Sequence, residues 1–145
     1  MSYGTHAEHS IYASAQPSLA EFKELTRDGF RRIVDLRPPG EERGFDEARE
    51  ANLQQLEYFC LPIAGAADFT LANVKRFDEL LADPAEPKTL VHCGSSNRVG
   101  ALFALRAAWL KGATAETALA LGRSTGLTGL EDAVRTSIAE RPSPV

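Results

Sequence analysis

Cys93 and Arg98 are the two residues whose types and spacing point most directly to covalent chemistry. The run Thr89-Leu90-Val91 ends in His92-Cys93. The small polar stretch Gly94-Ser95-Ser96-Asn97 follows, then Arg98 and a long apolar segment from Val99 to Leu110. Read as strand, loop and helix, this order builds an anion site. Amides of the loop and first helical turn point into one concavity, and the helix dipole favours negative charge there. A cysteine at the floor of such a site is favoured as thiolate at neutral pH, because helix N-termini and cations stabilise the charged sulfur. A guanidinium one turn on offers a planar fork for an oxyanion. The chemistry implied is nucleophilic catalysis on a phosphoryl or sulfur group.

Each residue also has a plainer reading. Cysteine is often simply buried, but an inert thiol has no need of a polar loop and an arginine directly after it. An arginine at a helix start opposes the dipole, which an oxyanion clamp explains better than a surface charge. Gly94 permits positive φ and Asn97 tolerates it, while Ser95 and Ser96 supply small hydroxyls to support a thiolate or a bound anion. An ordinary polar turn has the same composition.

The elements that must position these residues read as an α/β domain. Ser10–Ala15 is a first strand, ended by Gln16-Pro17. Ser18 with Glu21 forms a capping box for a helix that buries Leu19, Phe22 and Leu25 and stops at Asp28-Gly29. Phe30–Leu36 is a strand, and Asp35 and Arg37 before Pro38-Pro39 brace its end. The loop from Pro38 to Phe45 is rich in Pro, Gly and Glu. Asp46–Leu53 is a short helix with Ala48 and Leu53 inward. Leu56–Ile63 is a strand that holds Cys60 as a packed core thiol. Thr70 caps a helix whose Leu71, Val74, Phe77, Leu80 and Leu81 recur at helical spacing. Lys88–His92 is a further strand. The segment Val99–Leu110, apolar nearly all round except Arg106, is a buried helix. Thr114–Gly122 and Leu130–Ile138 are shorter helices. Alternating strands and helices with right-handed crossovers give a single-domain, three-layer sandwich, with a mainly parallel sheet of about four to five strands and helices on both faces. Cys93 then sits at the carboxyl end of a strand, where such sheets bind ligands.

The chain has 145 residues, enough for one domain with a core that needs no disulfide or metal. Residues 1–9 and 141–145 read as flexible tails. His6 and His9 in the first tail are two ligands without companions, a poor metal site. Net charge is −4 with no basic cluster, which argues against nucleic acid or an anionic membrane as partner. Two cysteines, no leader pattern and no apolar run long enough to span a bilayer suggest a cytoplasmic protein with free thiols.

His92-Cys93 followed by Arg98 resembles the signature loop of cysteine-dependent tyrosine and dual-specificity phosphatases. Those enzymes place five residues between Cys and Arg where this chain has four, Gly94 to Asn97, and a Ser or Thr where it has Val99. Together with Tyr12-Ala13-Ser14-Ala15-Gln16-Pro17-Ser18 and Ile33-Val34-Asp35-Leu36-Arg37-Pro38, the short loop is similar to that of bacterial beta-lactamase-hydrolase-like, phosphatase-like domains. The resemblance runs from Ile11 to about Ala139. It implies a dual-specificity-phosphatase-like fold and hydrolysis of phosphomonoesters, phosphotyrosine among them, in a phosphorylated protein or small molecule. It implies Cys93 as nucleophile, Gly94 to Arg98 as phosphate cradle, and His92 as a support of the loop and thiolate rather than a base. It also implies that the loop from Ala64 to Phe69 carries the general acid, Asp68, ahead of its rivals Glu41, Glu42 and Asp46. As an ordinary helix-start charge, Asp68 would instead complement the dipole of the Thr70 helix. No metal or organic cofactor is required.

Two other functions fit parts of the pattern. The six-residue loop length is that of rhodanese sulfurtransferases, in which Cys93 would carry a persulfide and Asp68 would be dispensable. Val99 in place of Ser or Thr would also suit an anion-binding module that has lost turnover.

Overall fold

A computed structural model describes residues 4–140. Five strands, β1 (Thr5–Glu8), β2 (Ile11–Ser14), β3 (Arg32–Asp35), β4 (Glu57–Cys60) and β5 (Thr89–His92), form one sheet in the order β1-β2-β5-β3-β4. All neighbours run parallel except β1 and β2. The strand that leads into Cys93 is therefore central. On it His92 stands opposite Ser14 of β2 and Asp35 of β3.

Successive strand residues point to opposite faces, and the two faces carry separate cores. Leu90 and Ile33 join Phe22, Leu25, Phe30, Ala51 and Leu56 beneath α1 (Leu19–Glu24) and α2 (Glu47–Leu53). Val91, Val34 and Ala13 face the larger core of α3 (Leu71–Leu81), α4 (Asn97–Leu110), α5 (Ala115–Ser124) and α6 (Glu131–Glu140). There Phe77 and Phe103 meet edge to face with centroids 5.1 Å apart. Burial of each such side chain contributes about 1.5–3 kcal/mol. The sheet and its two helical layers are those read from the sequence.

The backbone of α4 is buried from Val99 to Ala107. It packs on α5 through glycines. A methyl group on Gly100 would lie 2.5 Å from the Gly122 carbonyl and 2.3 Å from the Leu127 nitrogen. Arg106, within this apolar helix, is matched by Glu8 at 2.5 Å and Asp78 at 2.8 Å.

Four local expectations are corrected. Thr5–Glu8 is not a frayed tail but the antiparallel edge strand β1, held by its ladder with β2 and by the Glu8–Arg106 pair. His6 bonds the His9 carbonyl at 2.6 Å and packs its ring edge on Tyr12, while residues 1–3 and 141–145 lie outside the described residues. In α1, Phe22 and Leu25 are buried but Leu19 is exposed. In α2 the inward positions are Glu47 and Ala51, not Ala48 and Leu53; Leu53 is 64% exposed. The helix is turned because Glu47 has a buried partner that outweighs an extra apolar contact. Cys60 is exposed on the edge strand β4, its thiol donating to the Arg37 carbonyl at 3.2 Å.

Candidate active site

The loop after β5 is held on both sides by extensions of its neighbouring strands. The Gln16 amide donates to the Gly94 carbonyl at 3.0 Å, and the Leu36 amide to the His92 carbonyl at 2.9 Å. Cys93 is fully buried on the larger core's side of the sheet. The α4 ladder starts with the Gly100 amide on the Ser96 carbonyl at 3.0 Å. The amides of Asn97, Arg98 and Val99 therefore precede it, as the first donors of a helix do.

The left-handed residue of the loop is Ser96 (φ 69°), rather than Gly94 or Asn97. A non-glycine residue holds that conformation only when its surroundings enforce it. Here the Ser96 hydroxyl donates to the Thr125 carbonyl at 2.7 Å, and Gly126 packs so closely that a Cβ there would lie 2.5 Å from Ser96. The Asn97 side chain accepts from the Thr128 and Leu130 amides at 2.8 and 3.3 Å. These two side chains tie the loop to the α5–α6 connection, which redirects the expected role of the Ser96 hydroxyl. What they leave for an anion is backbone. Ser95 is exposed and Gly94 half-buried.

Arg98 reaches back over the loop. Its Nη1 donates to Ile63 O at 2.8 Å and to Glu41 Oε2 at 2.8 Å, and its Nη2 to Glu41 Oε1 at 3.0 Å. Glu41 in the first place holds Arg98 above its usual range; burial opposes this, and nearby Cys93 adds to the rise. The same Arg98 hydrogen bond holds Glu41 below the usual carboxylate range. Arg37 Nε also donates to Glu41 Oε1, at 2.9 Å.

Behind the loop lies a buried polar network in which His92 and Asp35 meet partners that the sequence did not single out. His92 Nε2 is 2.5 Å from Glu47 Oε2, and Gln16 Nε2 donates to Glu47 Oε1 at 2.7 Å. Asp35, also buried, accepts from the Arg37 amide at 2.9 Å, Arg43 Nε at 2.6 Å and the Tyr58 hydroxyl. Burial, and then the bond to Asp35, push the Tyr58 phenol far above its ordinary range. Burial and the Asp35 charge likewise push the Cys60 thiol up, although Arg43 opposes them. Ligand-type atoms of Asp35, Glu47 and His92 lie within 4.8 Å of one another. Both carboxylates already accept from protein donors, so the cluster reads as a hydrogen-bonded support rather than a free donor set for a metal. The expectation that Asp35 and Arg37 brace the strand end matches this geometry. Glu47 carries no pattern that would single it out among the chain's polar residues, and Gln16 lies within the Tyr12–Ser18 stretch that bears the resemblance but had no role assigned to it.

Asp68 ends a short 3₁₀ turn (Ala66–Asp68) that follows β4, and its Oδ2 accepts from the Ala64 amide at 2.7 Å. Asn73 of α3 donates to its carbonyl oxygen at 2.9 Å. Of the rival acids, Glu41 is bound by two arginines, Asp46 caps α2 by accepting from the Arg49 amide at 3.2 Å, and Glu42 accepts from the Gly44 amide at 3.1 Å. A cavity of about 410 Å³ beside the site is lined by Glu41, Arg43, Asp46, Glu47, Tyr58 and Cys60. It lies on the flank of the Pro38–Phe45 loop and does not include Cys93 in its lining. None of the helices among the described residues is long and apolar enough to cross a membrane.

Comparison with known proteins agrees with this architecture. The family described as "DSP-PTPase phosphatase fused to NAD+ Kinase" matches residues 2–137. A "Beta-lactamase hydrolase-like protein" of Agrobacterium fabrum is 31% identical over 96 residues, which are 63% of this chain and 22% of that protein. The chain thus spans about a fifth of the length of the curated relatives it matches. Among solved structures, Tk-PTP in its active form superposes with a TM-score of 0.71 at 21% identity, over 94% of this chain and 96% of that one. The core catalytic domain of the PP-IP phosphatase SIW14 from S. cerevisiae does so with a TM-score of 0.74 at 17% identity, over 93% and 82%. A sheet centred on the Cys93 strand and a family match over nearly its whole length thus place this chain in the family of DSP-PTPase phosphatase domains, the dual-specificity-phosphatase-like relatives of beta-lactamase hydrolase-like proteins.

Proposed function

We propose that this domain is a cysteine-dependent phosphatase that hydrolyses phosphomonoesters. The observation that carries the reading is the placement of Cys93 at the end of the central strand with Arg98, from the first turn of α4, folded back against the next residue, where a Cβ on Gly94 would lie 3.3 Å from Arg98 Nη2. In the proposed reaction the Cys93 thiolate attacks phosphorus in line, forming an S–P bond as the ester P–O bond breaks. Asp68 gives its proton to the departing oxygen. Loop amides and Arg98 hold the equatorial oxygens, where charge is greatest in the transition state. Water then attacks the phosphocysteine, Asp68 takes its proton, the S–P bond breaks and the thiolate returns with inorganic phosphate. For this Asp68 must leave the Ala64 amide and turn into the cradle, a motion the small residues of that loop allow. His92, set by Glu47, fixes the floor of the loop. Phosphotyrosine and other aryl or alkyl monoesters, on a protein or free, are the proposed substrates.

The test is paired turnover of para-nitrophenyl phosphate, and of thiosulfate with cyanide, by wild type, Cys93→Ser and Asp68→Asn. Phosphate release that disappears in Cys93→Ser and falls about a hundredfold in Asp68→Asn supports the mechanism. The four-residue spacing between Cys93 and Arg98 favours sulfur transfer as the second reading. Thiocyanate formation lost only in Cys93→Ser, without phosphate release, would establish that one instead.

A further inference from the structure

The fork of Arg98 already holds a carboxylate. Both of its terminal nitrogens donate to Glu41, one to each oxygen, at 2.8 and 3.0 Å. This is the two-point geometry with which a guanidinium grips a carboxylate or phosphate. Arg37 converges on the same group, its Nε 2.9 Å from Glu41 Oε1 and its Nη1 donating to Gln16 at 3.2 Å. Both arginines stand over the Cys93 loop. A Cβ on Gly94 would be 3.3 Å from Arg98 Nη2 and 4.0 Å from Arg37 Cζ. One carboxylate therefore faces two guanidiniums that are only 15% and 16% exposed, above a cysteine with no exposed surface.

We propose that Glu41 is an internal occupant of the anion site, and that Arg37 is a second anion-binding side chain, so that the site takes a ligand with two adjacent anionic groups, a diphosphate or a phosphomonoester beside a second phosphate. The proposal rests on the phosphatase reading for the role of Cys93, but not for the identity of the cradle. A ligand phosphate on Arg98 must displace the Glu41 carboxylate, which also takes from Arg37 its anionic partner and leaves it the neutral Gln16 oxygen. A lone phosphate leaves that second guanidinium unmatched in a poorly solvated place, where an unpaired charge is costly. A second anionic group satisfies it. Glu41 lies in a loop flanked by Gly40 and by Gly44 at φ 85°, and the 410 Å³ cavity on that loop's flank gives the displaced side chain room. The hydrogen bond from Arg98 moves the Glu41 carboxyl further below its ordinary range.

The experiment is calorimetric titration of the whole chain with inorganic phosphate and with methylenediphosphonate, whose P–C–P bridge is not hydrolysed. Apparent affinity falls by the fraction of protein in which the site is open. Glu41→Gln and Glu41→Ala should therefore each tighten phosphate binding by about tenfold or more. Wild type should prefer methylenediphosphonate over phosphate by about tenfold, and Arg37→Ala should erase that preference. Unchanged or weaker phosphate binding in both Glu41 variants overturns the role of Glu41. A diphosphonate preference that survives Arg37→Ala overturns the role of Arg37. Wild-type turnover of para-nitrophenyl phosphate separates the two readings: with turnover present these results sink the present proposal alone, whereas tighter binding in the Glu41 variants without turnover sinks the phosphatase reading and keeps the occupant.

Discussion

Glu47 Oε2 and His92 Nε2 stand 2.5 Å apart where neither side chain reaches solvent. One comes from the first turn of α2, the other from the residue before Cys93. The α2 layer is thereby fastened to the central strand, at the entry to the loop, by a short contact. Removing one partner of such a buried pair strands the other, at a typical cost of about 3–5 kcal/mol.

Glu47→Ala is therefore expected to lower unfolding free energy in urea by about 3 kcal/mol. Glu47→Gln keeps the side-chain shape and should lose less. In the folded Glu47→Gln protein, kcat on para-nitrophenyl phosphate should fall about tenfold with KM little changed, since the residue acts through His92 and not on the substrate. Equal kcat in wild type and Glu47→Gln would show that the contact serves stability only.

Gly100 admits no side chain. Gly100→Ala puts a methyl group against the Leu127 nitrogen and the Gly122 carbonyl, both backbone atoms that cannot rotate away. Overpacking of this kind costs about 1–3 kcal/mol. Thermal unfolding should show a drop of several degrees, and Gly100→Ser should be no better. A melting temperature equal to wild type would contradict the close α4–α5 approach.

Acid should weaken the clamp on Arg106. Burial raises the carboxyl of Asp78, but hydrogen bonds from Arg106 and Lys111 outweigh it, and the net position is below the ordinary value of 3.8. A carboxylate lowered in the folded state stabilises the fold above its unfolded value and loses that contribution as pH falls through the folded one. Asp78→Asn should then destabilise by about 1 kcal/mol at neutral pH, with the gap to wild type closing well below pH 3.8. Urea unfolding of both proteins across that range is the check. A gap that does not depend on pH would show that Asp78 acts through packing.

If Asp68 protonates the leaving oxygen, its removal must matter most where that oxygen is most basic. Asp68→Asn should slow phenyl phosphate hydrolysis more than para-nitrophenyl phosphate hydrolysis, by about tenfold or more. Equal losses on both substrates would move the acid role elsewhere.

Much of this arrangement could be read from local rules. The Ser18–Glu21 capping box forms as expected, with bonds of 3.1 and 2.9 Å. The apolar periodicity placed Val74, Phe77 and Leu80 inward. The run from Val99 announced a buried helix behind Cys93. What escaped depends on partners distant in the chain. Glu47 looks like any first-turn glutamate until His92, 45 residues on, turns it inward and rotates α2 with it. Ser96 takes a conformation better suited to glycine because Thr125 and Gly126 enforce it from the next connection. β1 has no strong alternation of its own and forms because the edge of β2 is available. Arg37 read as a brace, and only its convergence with Arg98 on one oxygen gives it a second meaning.

The position of β5 between β2 and β3 has a kinetic consequence. Its parallel pairings join segments as far apart in the chain as Ile11 and Thr89, and such long-range closures form late in folding. The loop can take its shape only after those pairings exist, because Gln16 and Leu36 hold it from the ends of the flanking strands. Anion binding should thus return on refolding in step with the whole sheet, with no early phase. A bound oxyanion would slow unfolding of the entire domain rather than of the loop alone.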